Sequence, residues 1–376
     1  MKVAVFLGGG KSQQTYINAL KHLEIYTIVV DQDKFAPARE TSDKFINCSK
    51  FEGDRIADLL MKDMNTSQSY DLLVLSNSGG KTCNAIATIG KRIGFETYSH
   101  EAALCASSKL KFKKSFNRSF KTADYEINNK YDWLESNKKI NWNRYQEKWP
   151  KGIFIKPDMS SKSKVGGVYG MKGFDLNDII KHCQNNILVL EEYIPEGKDI
   201  VVPMLVRNGE TVVKGRILEE INYVTSNIVG YGFKALEDFD SEIINVLYSL
   251  SDDYIHQLKI NNAPVALTFR IEDKSITPVE LHLDFGGENL YEFSLGLTSE
   301  ELLNVFINAL PHTIDPTFQY NVLLYDHYFN KLDVALESES IEYKVMWASS
   351  QRKQFHLNID STKLHNFIGQ YHMNLN

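Results

Sequence analysis

Ile153-Phe154-Ile155-Lys156-Pro157 is a short apolar run closed by a lysine and a proline. Its length and its proline, which cannot donate to a β-ladder, read as a buried strand with one charged side chain at its end. Met159-Ser160-Ser161-Lys162-Ser163-Lys164-Val165-Gly166-Gly167-Val168-Tyr169-Gly170 follows, a loop of small residues with three serines and three glycines. Glycine lets a backbone approach a phosphate, and exposed N–H groups in such turns form concavities for anions. Lys156 with Gly166 and Gly167 therefore reads as a phosphate site under a lid; the alternative is a surface turn beside a half-exposed lysine.

Two further stretches have to be read with this one. Ile187-Leu188-Val189-Leu190 is a buried strand ending in Glu191-Glu192-Tyr193-Ile194 and the turn Pro195-Glu196-Gly197-Lys198-Asp199. An adenine needs a backbone donor and acceptor at a strand end plus an apolar wall, and ribose hydroxyls suit a carboxylate a few residues on. This segment has all of these, although an acidic loop between strands has the same composition. In Pro278-Val279-Glu280-Leu281-His282-Leu283-Asp284, strand alternation puts Glu280, His282 and Asp284 on one face and Val279, Leu281 and Leu283 on the other. Magnesium takes oxygen donors, commonly one or two carboxylates with phosphates and waters, so Glu280 and Asp284 suit it and His282 does not. Asp284-Phe285-Gly286-Gly287-Glu288 then closes the site with a turn; the competing reading is the polar face of an edge strand.

Around these stretches the chain changes character. Residues 1–100 alternate apolar strands (3–7, 26–31, 71–76) with helical patterns (13–23, 55–64, 82–93), which implies a parallel sheet covered by helices, a Rossmann-like α/β unit. Its first turn, Gly8-Gly9-Gly10-Lys11-Ser12, satisfies neither nucleotide fingerprint: Gln13 interrupts G-x-G-x-x-G, and Val5 stands where the Walker pattern begins with glycine. Close packing of the turn, or contact with an acceptor substrate, is the expectation. Lysine-rich residues 107–121 read as a helix whose lysines form a solvated face. Beyond Gly152 strands dominate, at 153–156, 187–191, 199–206, 211–218, 264–271 and 275–283, with helices at 176–183 and 240–259, as in a mixed antiparallel sheet with helices outside it. Residues 311–376 are a C-terminal extension with no interpretable motif.

Composition sets outer bounds. The 376 residues are 43% apolar and 24% charged with a net charge of -6 and no basic tail, an ordinary globular balance that does not point to nucleic acid. No run approaches the roughly 18 to 20 apolar residues of a membrane span, so a cytoplasmic protein is expected. Cys48, Cys83, Cys105 and Cys183 are scattered and read as core thiols.

In this order, the three stretches resemble the ATP-grasp superfamily, in the branch whose preceding domain is like that of biotin carboxylase and carbamoyl-phosphate synthetase. The resemblance covers residues 3–310. Val3 to Asp31, followed by Asp31-Gln32-Asp33 and Ala36-Pro37-Ala38, looks like the family's first strand, glycine turn, helix and acidic strand end. It implies a Rossmann-like domain (1–100) followed by an ATP-grasp α+β domain (101–310), with a small lid at about 115–190 and a larger sheet at about 191–310, the nucleotide lying between the two. Ser108-Lys109-Leu110-Lys111-Phe112-Lys113 makes Lys109 the first nucleotide lysine, and Lys156 matches the second. Glu191, Glu192, Tyr193 and Ile194 match the adenine hinge, with Glu191 and Tyr193 acting mostly through their backbone, and Asp199 stands where an acid holds ribose. Glu280 matches the carboxylate of the Glu-x-Asn-x-Arg strand that bridges two magnesium ions. His282 and Asp284 replace the asparagine and arginine of that strand, and Thr268 stands where another metal acid is usual. Asp284, with Glu288, is then the substitute metal ligand, and Arg216 or Arg270 the substitute for the oxyanion arginine.

The activity so implied uses ATP and Mg2+. A carboxylate takes the γ-phosphoryl group as an acyl phosphate, and an amine displaces phosphate to leave an amide, ADP and phosphate. Its partners are small carboxylates and amines, such as amino acids or sugar acids in polysaccharide or secondary-metabolite chemistry, with a homodimer left open. Residues 76–81 and 222–234 are candidate acceptor loops. A small-molecule kinase of the same fold, a binding protein that has lost turnover, and a dinucleotide enzyme using the Gly8 turn are the alternatives.

Overall fold

The structure, a computed structural model, describes residues 2–63, 71–116, 123–131, 142–160, 165–171, 174–224, 228–236, 239–286, 289–312, 320–325, 329, 332–348 and 353–371. Its first sheet is parallel, with strands β1 (Lys2–Leu7), β2 (Tyr26–Asp31), β3 (Lys44–Asn47) and β4 (Asp71–Leu75) in the order β3-β2-β1-β4. Helices Lys11–His22, Gly53–Asp63 and Lys81–Ile93 follow β1, β3 and β4. Val3 to Leu7 are all buried, the signature of a strand covered on both faces. The alternation expected from sequence is present, with β3 added: its Lys44-Phe45-Ile46-Asn47 is too short to show a period.

The second sheet is antiparallel: β5 (Tyr125–Asn129), β6 (Ile153–Pro157), β7 (Gly167–Val168) and β8 (Ile187–Glu192), in the order β5-β8-β6-β7. It packs on helices Trp142–Lys148 and Leu176–His182 through a core of its own, containing Tyr145, Trp149, Ile155, Ile179 and Leu190.

Nine strands form the third sheet: β9 (Lys198–Arg207), β10 (Glu210–Lys214), β11 (Leu218–Val224), β12 (Ile228–Ala235), β13 (Ala263–Glu272), β14 (Ser275–His282), β15 (Val322–Tyr325), β16 (Tyr343–Ala348) and β17 (Lys353–Leu357). Their order is β14-β13-β9-β11-β12-β15-β17-β16, with β10 on β9. This sheet shares one core with the first: Val5 and Leu7 of β1 cluster with Val202, Met204, Leu267 and Leu281. The expected strand at 211–218 is in fact two. β10 pairs with Met204 to Arg207 and β11 with Ile200 and Val201, so the break at Gly215 to Ile217 falls opposite Pro203. Proline has no N–H to offer a neighbour, and the carbonyl of Pro203 is met by the Gly215 N–H at 2.9 Å. A Cβ at Gly215 would lie 2.6 Å from Ser294 Oγ, so a side chain has no room at the bend. The helix expected at 107–121 is present as Lys109–Phe116, preceded by a separate helix His100–Ser107 that was not expected; residues 117–122 lie outside the described ones.

Strands from the C-terminal extension complete the large sheet. β15 joins β12 through Gly232 to Lys234, and behind β15 and β17 Leu336, Phe355, Leu357 and Phe367 form a further cluster. At the join a Cβ on Gly232 would stand 1.8 Å from the carbonyl oxygen of Leu323, a separation that backbone must move to relieve. Gly232→Ala is expected to destabilise the protein by about 2 kcal/mol, read as a lowered urea midpoint; an unchanged midpoint would mean that β12 and β15 do not approach this closely.

Candidate active site

Lys156 ends β6 with its ammonium buried, 2.5 Å from Glu191 Oε1 on the adjacent strand β8. The other oxygen of Glu191 is 2.6 Å from the ammonium of Lys113, whose side chain is only 2% exposed. Two cations thus hold one buried carboxylate. Burial alone would raise the Glu191 pKa, and the two lysines together bring it down to about 2. Lys113 and Lys109 are one helical turn apart and share a face of helix Lys109–Phe116, so only Lys111 and Lys114 form the solvated face expected from sequence, and Lys109 and Lys113 turn inward. Burial pushes the pKa of both lysines down: Glu280 opposes the shift at Lys109, Glu191 opposes it at Lys113, and Lys156 adds to it at each.

The helix is set against β6 by Asp158, itself buried. One of its oxygens accepts from Ser108 Oγ and the Leu110 N–H, both at 2.7 Å, the other from Asn185 Nδ2 at 2.6 Å, and its carbonyl accepts from the Lys109 N–H at 3.2 Å. This satisfies amides that a helix start leaves open. Gly166 lies over the same strand: a Cβ there would be 2.9 Å from Phe154 Cζ and 3.0 Å from the Ile155 carbonyl, and Gly167 pairs with Ile155. Residues 161–164 of the expected lid loop lie outside the described ones.

At the end of β8 the backbone of Glu191 is paired on both sides, with Tyr125 and Phe154, and the Tyr193 N–H donates to the Gly152 carbonyl at 3.0 Å. Among the described residues the Ile194 N–H has no backbone partner, which makes Ile194 the open donor of the strand end. Its carbonyl accepts from Arg270 Nε at 2.8 Å, and Arg270 Nη1 reaches Asp199 Oδ1, also at 2.8 Å. Asp199 accepts a second bond from Asn222 Nδ2 at 2.8 Å; burial pushes its pKa up and Arg270 works against that rise. Arg270 therefore ties the turn after β8 to the large sheet. Arg216 sits in the break between β10 and β11, where Nη2 donates to the carbonyls of Phe293 (2.9 Å) and Tyr320 (3.1 Å).

On the edge strand β14 a bulge at Val279 puts Glu280 opposite Thr268 and Thr277 opposite Arg270. Alternation along β13 then gathers Thr268, Arg270, Thr277 and Glu280 on one face of the sheet. His282 Nε2 is 3.1 Å from Glu280 Oε1, both side chains being partly exposed. Against the cost of burial, His282 first, then Lys109 and Lys156, holds the Glu280 carboxyl well below its usual range, and Glu280 lifts His282 to about 9.

Among the described residues Glu280, His282 and Asp284 do not gather as a three-ligand metal cluster, although His282 interacts with both acids. β14 ends at His282, the Phe285 N–H donates to the Ser76 carbonyl of the first domain at 3.2 Å, and the Phe285 ring packs on Tyr16 at 5.3 Å. That turn leaves Asp284 in electrostatic contact with His282, both within 4.0 Å of the point that a Cβ on Gly79 would occupy. Asp284 is buried, Oδ1 accepts from the Gly286 N–H at 2.8 Å, and Oδ2 is so close to Gly79 that a Cβ there would be 2.7 Å away. Among the described residues no three His, Cys, Asp or Glu side chains gather as a metal cluster. Gly287 and Glu288 lie outside the described residues, as do residues 225–227 of the second acceptor loop. The first acceptor loop meets the glycine turn, Gln13 Nε2 donating to Asn77 Oδ1 at 2.7 Å, while the Gly9 N–H is taken by Asp31 Oδ2 at 2.7 Å.

Sequence reading missed Lys113, Asp158 and Asn222. Only Lys113 had a signal, its spacing of four from Lys109; Asp158 and Asn222 acquire partners from segments remote in the chain.

The parallel sheet and the two antiparallel sheets that meet at Ile194 make up the ATP-grasp fold expected from sequence. No protein-family model and no curated protein matches the sequence. Solved structures match over almost the whole chain. An L-amino acid ligase from Bacillus licheniformis superposes with a TM-score of 0.69 at 11% identity, covering 100% of this chain and 99% of its own. N5-carboxyaminoimidazole synthetase from Staphylococcus aureus complexed with ADP gives 0.69 at 10% identity (98% and 97%), and phosphoribosylglycinamide synthetase from Anaerococcus prevotii 0.61 at 15% (99% and 100%). Among the described residues no helix is long and apolar enough to cross a membrane.

The Glu280–His282 pair gives the apo protein a measurable signature. His282 is expected to titrate near 9 in ring-nitrogen NMR, and in Glu280→Gln to fall back toward the ordinary histidine value of about 6.5. Since its folded pKa lies above the unfolded one, the stability it contributes is fully present below about pH 6.5 and disappears as pH rises through about 9. A titration near 6.5 in the parent protein would show that the pair is not formed.

Proposed function

We propose that the chain is an ATP-dependent ligase that joins a small carboxylate, such as an amino acid or sugar acid, to an amine through an acyl phosphate. The observation that carries this reading is the set of buried or half-buried lysines 109, 113 and 156, gathered around Glu191, of which Lys109 and Lys156 also face Glu280. Lys109 and Lys156, standing between Glu191 and Glu280, would supply the cations that a polyphosphate requires. Ile194 would receive the adenine edge, Asp199 lies within the same turn for ribose, and Gly166 and Gly167 would let the lid backbone close on the phosphates.

In this role Lys109 and Lys156 neutralise charge developing on the transferred phosphoryl group, and the lid keeps water from the acyl phosphate. Attack by the amine breaks the carbonyl carbon–oxygen bond to phosphate, and the amine loses a proton as the amide forms. The donors on the site face fit magnesium, which needs few protein oxygens: Glu280, partly exposed on the rim, would hold it beside Thr268. Bound there, magnesium would screen the phosphates. The burial of Asp284 against Gly79 favours Glu280 alone as the protein carboxylate of the metal. One observation favours a second reading, a binding protein without turnover: Arg270 and Arg216, the candidates for the oxyanion, are both engaged by carbonyl or carboxylate groups.

Pairwise mixtures of amino acids and uronic acids, assayed for ATP-dependent phosphate and ADP release, test the reading directly. Lys156→Ala and Glu280→Ala are each expected to abolish ADP release, by about 100-fold or more if the phosphoryl group loses a charge partner. Full activity in either would remove that residue from the site, and ADP formation that does not depend on an amine would favour a kinase.

A further inference from the structure

A phosphate site explains Lys109 and Lys156 but not Lys113. Its ammonium is buried against Glu191 at 2.6 Å, with the Tyr125 ring 5.8 Å away, and it interacts with Glu191 and Lys156, whereas Glu280 interacts with Lys109 and Lys156. Lys113 therefore lies on the hinge side of the pocket and Lys109 on the metal side. Lys156 stands between them, bound to the other Glu191 oxygen at 2.5 Å.

A buried carboxylate stripped of its only cation is strongly disfavoured. Were Glu191 paired to Lys156 alone, turning Lys156 toward a nucleotide would strand that charge, and Glu191 would compete with the phosphates for the lysine. With Lys113 on the second oxygen, Glu191 keeps a partner throughout. We propose that Lys113 is a positioning residue that takes over the charge of Glu191 and so releases Lys156 to the phosphates of a bound nucleotide, an inference that rests on the nucleotide-site reading above. Lys113 touches neither phosphate nor substrate in this account and acts only through Glu191.

Calorimetric titration of ATP and of adenosine into the full chain tests it. Lys113→Met is expected to weaken ATP by about tenfold while adenosine, which has no phosphate for Lys156 to reach, changes less than about twofold. Adding Glu191→Gln to Lys113→Met is expected to restore most of the lost ATP affinity, because the competing charge is gone, and Lys113→Arg to retain it. Equal weakening of ATP and adenosine, or no recovery in the double variant, would overturn the proposal and leave Lys113 as structural support. Should Lys113→Met fail to fold, the comparison is Glu191→Gln with and without Lys113→Met: a difference below about twofold upholds a role through Glu191, a larger loss overturns it. Parent protein that binds neither ligand would refute the nucleotide reading itself, and the role of Lys113 with it.

Discussion

Glu191 is a carboxylate almost out of contact with water, and such a group stays ionised only where cations are fixed beside it. One cation comes from β6 and the other from helix Lys109–Phe116, so the antiparallel sheet of the second unit and a helix outside it meet at this charge. Asp158 makes the same junction with hydrogen bonds, satisfying the start of the helix from the end of the strand. Between them, these two acids set where Lys109, Lys113 and Lys156 stand. Lysine ammoniums that would repel one another in an apolar pocket are tolerated because carboxylates separate them.

Around that junction the packing is uneven. The parallel sheet and the nine-stranded sheet share a core, whereas the sheet carrying Lys156 has its own and meets the large sheet at the turn after β8. Arg270 bridges that turn to Asp199, and Gly197 makes room for it: a Cβ there would be 2.7 Å from Arg270 Cγ. The small unit thus keeps its own core and is joined to the rest by that turn, by the Lys151–Glu272 pair and by the contacts of Glu191 and Asp158 with helix Lys109–Phe116. The large sheet accommodates a proline in a central strand by giving Pro203 two short partners in place of one long one.

The unusual residues at the end of β14 have a common explanation. Where the ATP-grasp pattern has asparagine and arginine, this chain has His282 and Asp284, and the chain turns between them. His282 stays on the strand and compensates Glu280; Asp284 follows Phe285 into the interface with the first domain.

Much of the fold was legible because its signals are local. Continuous apolar runs at β1, β2 and β4, separated by helical periods, specify a parallel sheet, and a lysine, a double glutamate and an acidic strand in that order are the residues from which the proposed site is drawn. β3 was too short for any period, and the break at Gly215 depended on a proline in another strand. Alternation also failed at Asp284, since a turn begins where the strand pattern would continue. The sequence by itself determined which residue types are available and on which elements they lie, because propensity and periodicity act over a few neighbours. Only the tertiary structure decided that Lys113 is buried, that Glu191 acts through its side chain, and that Asp284 is buried beside Gly79, because each of these follows from bringing together groups far apart in the chain.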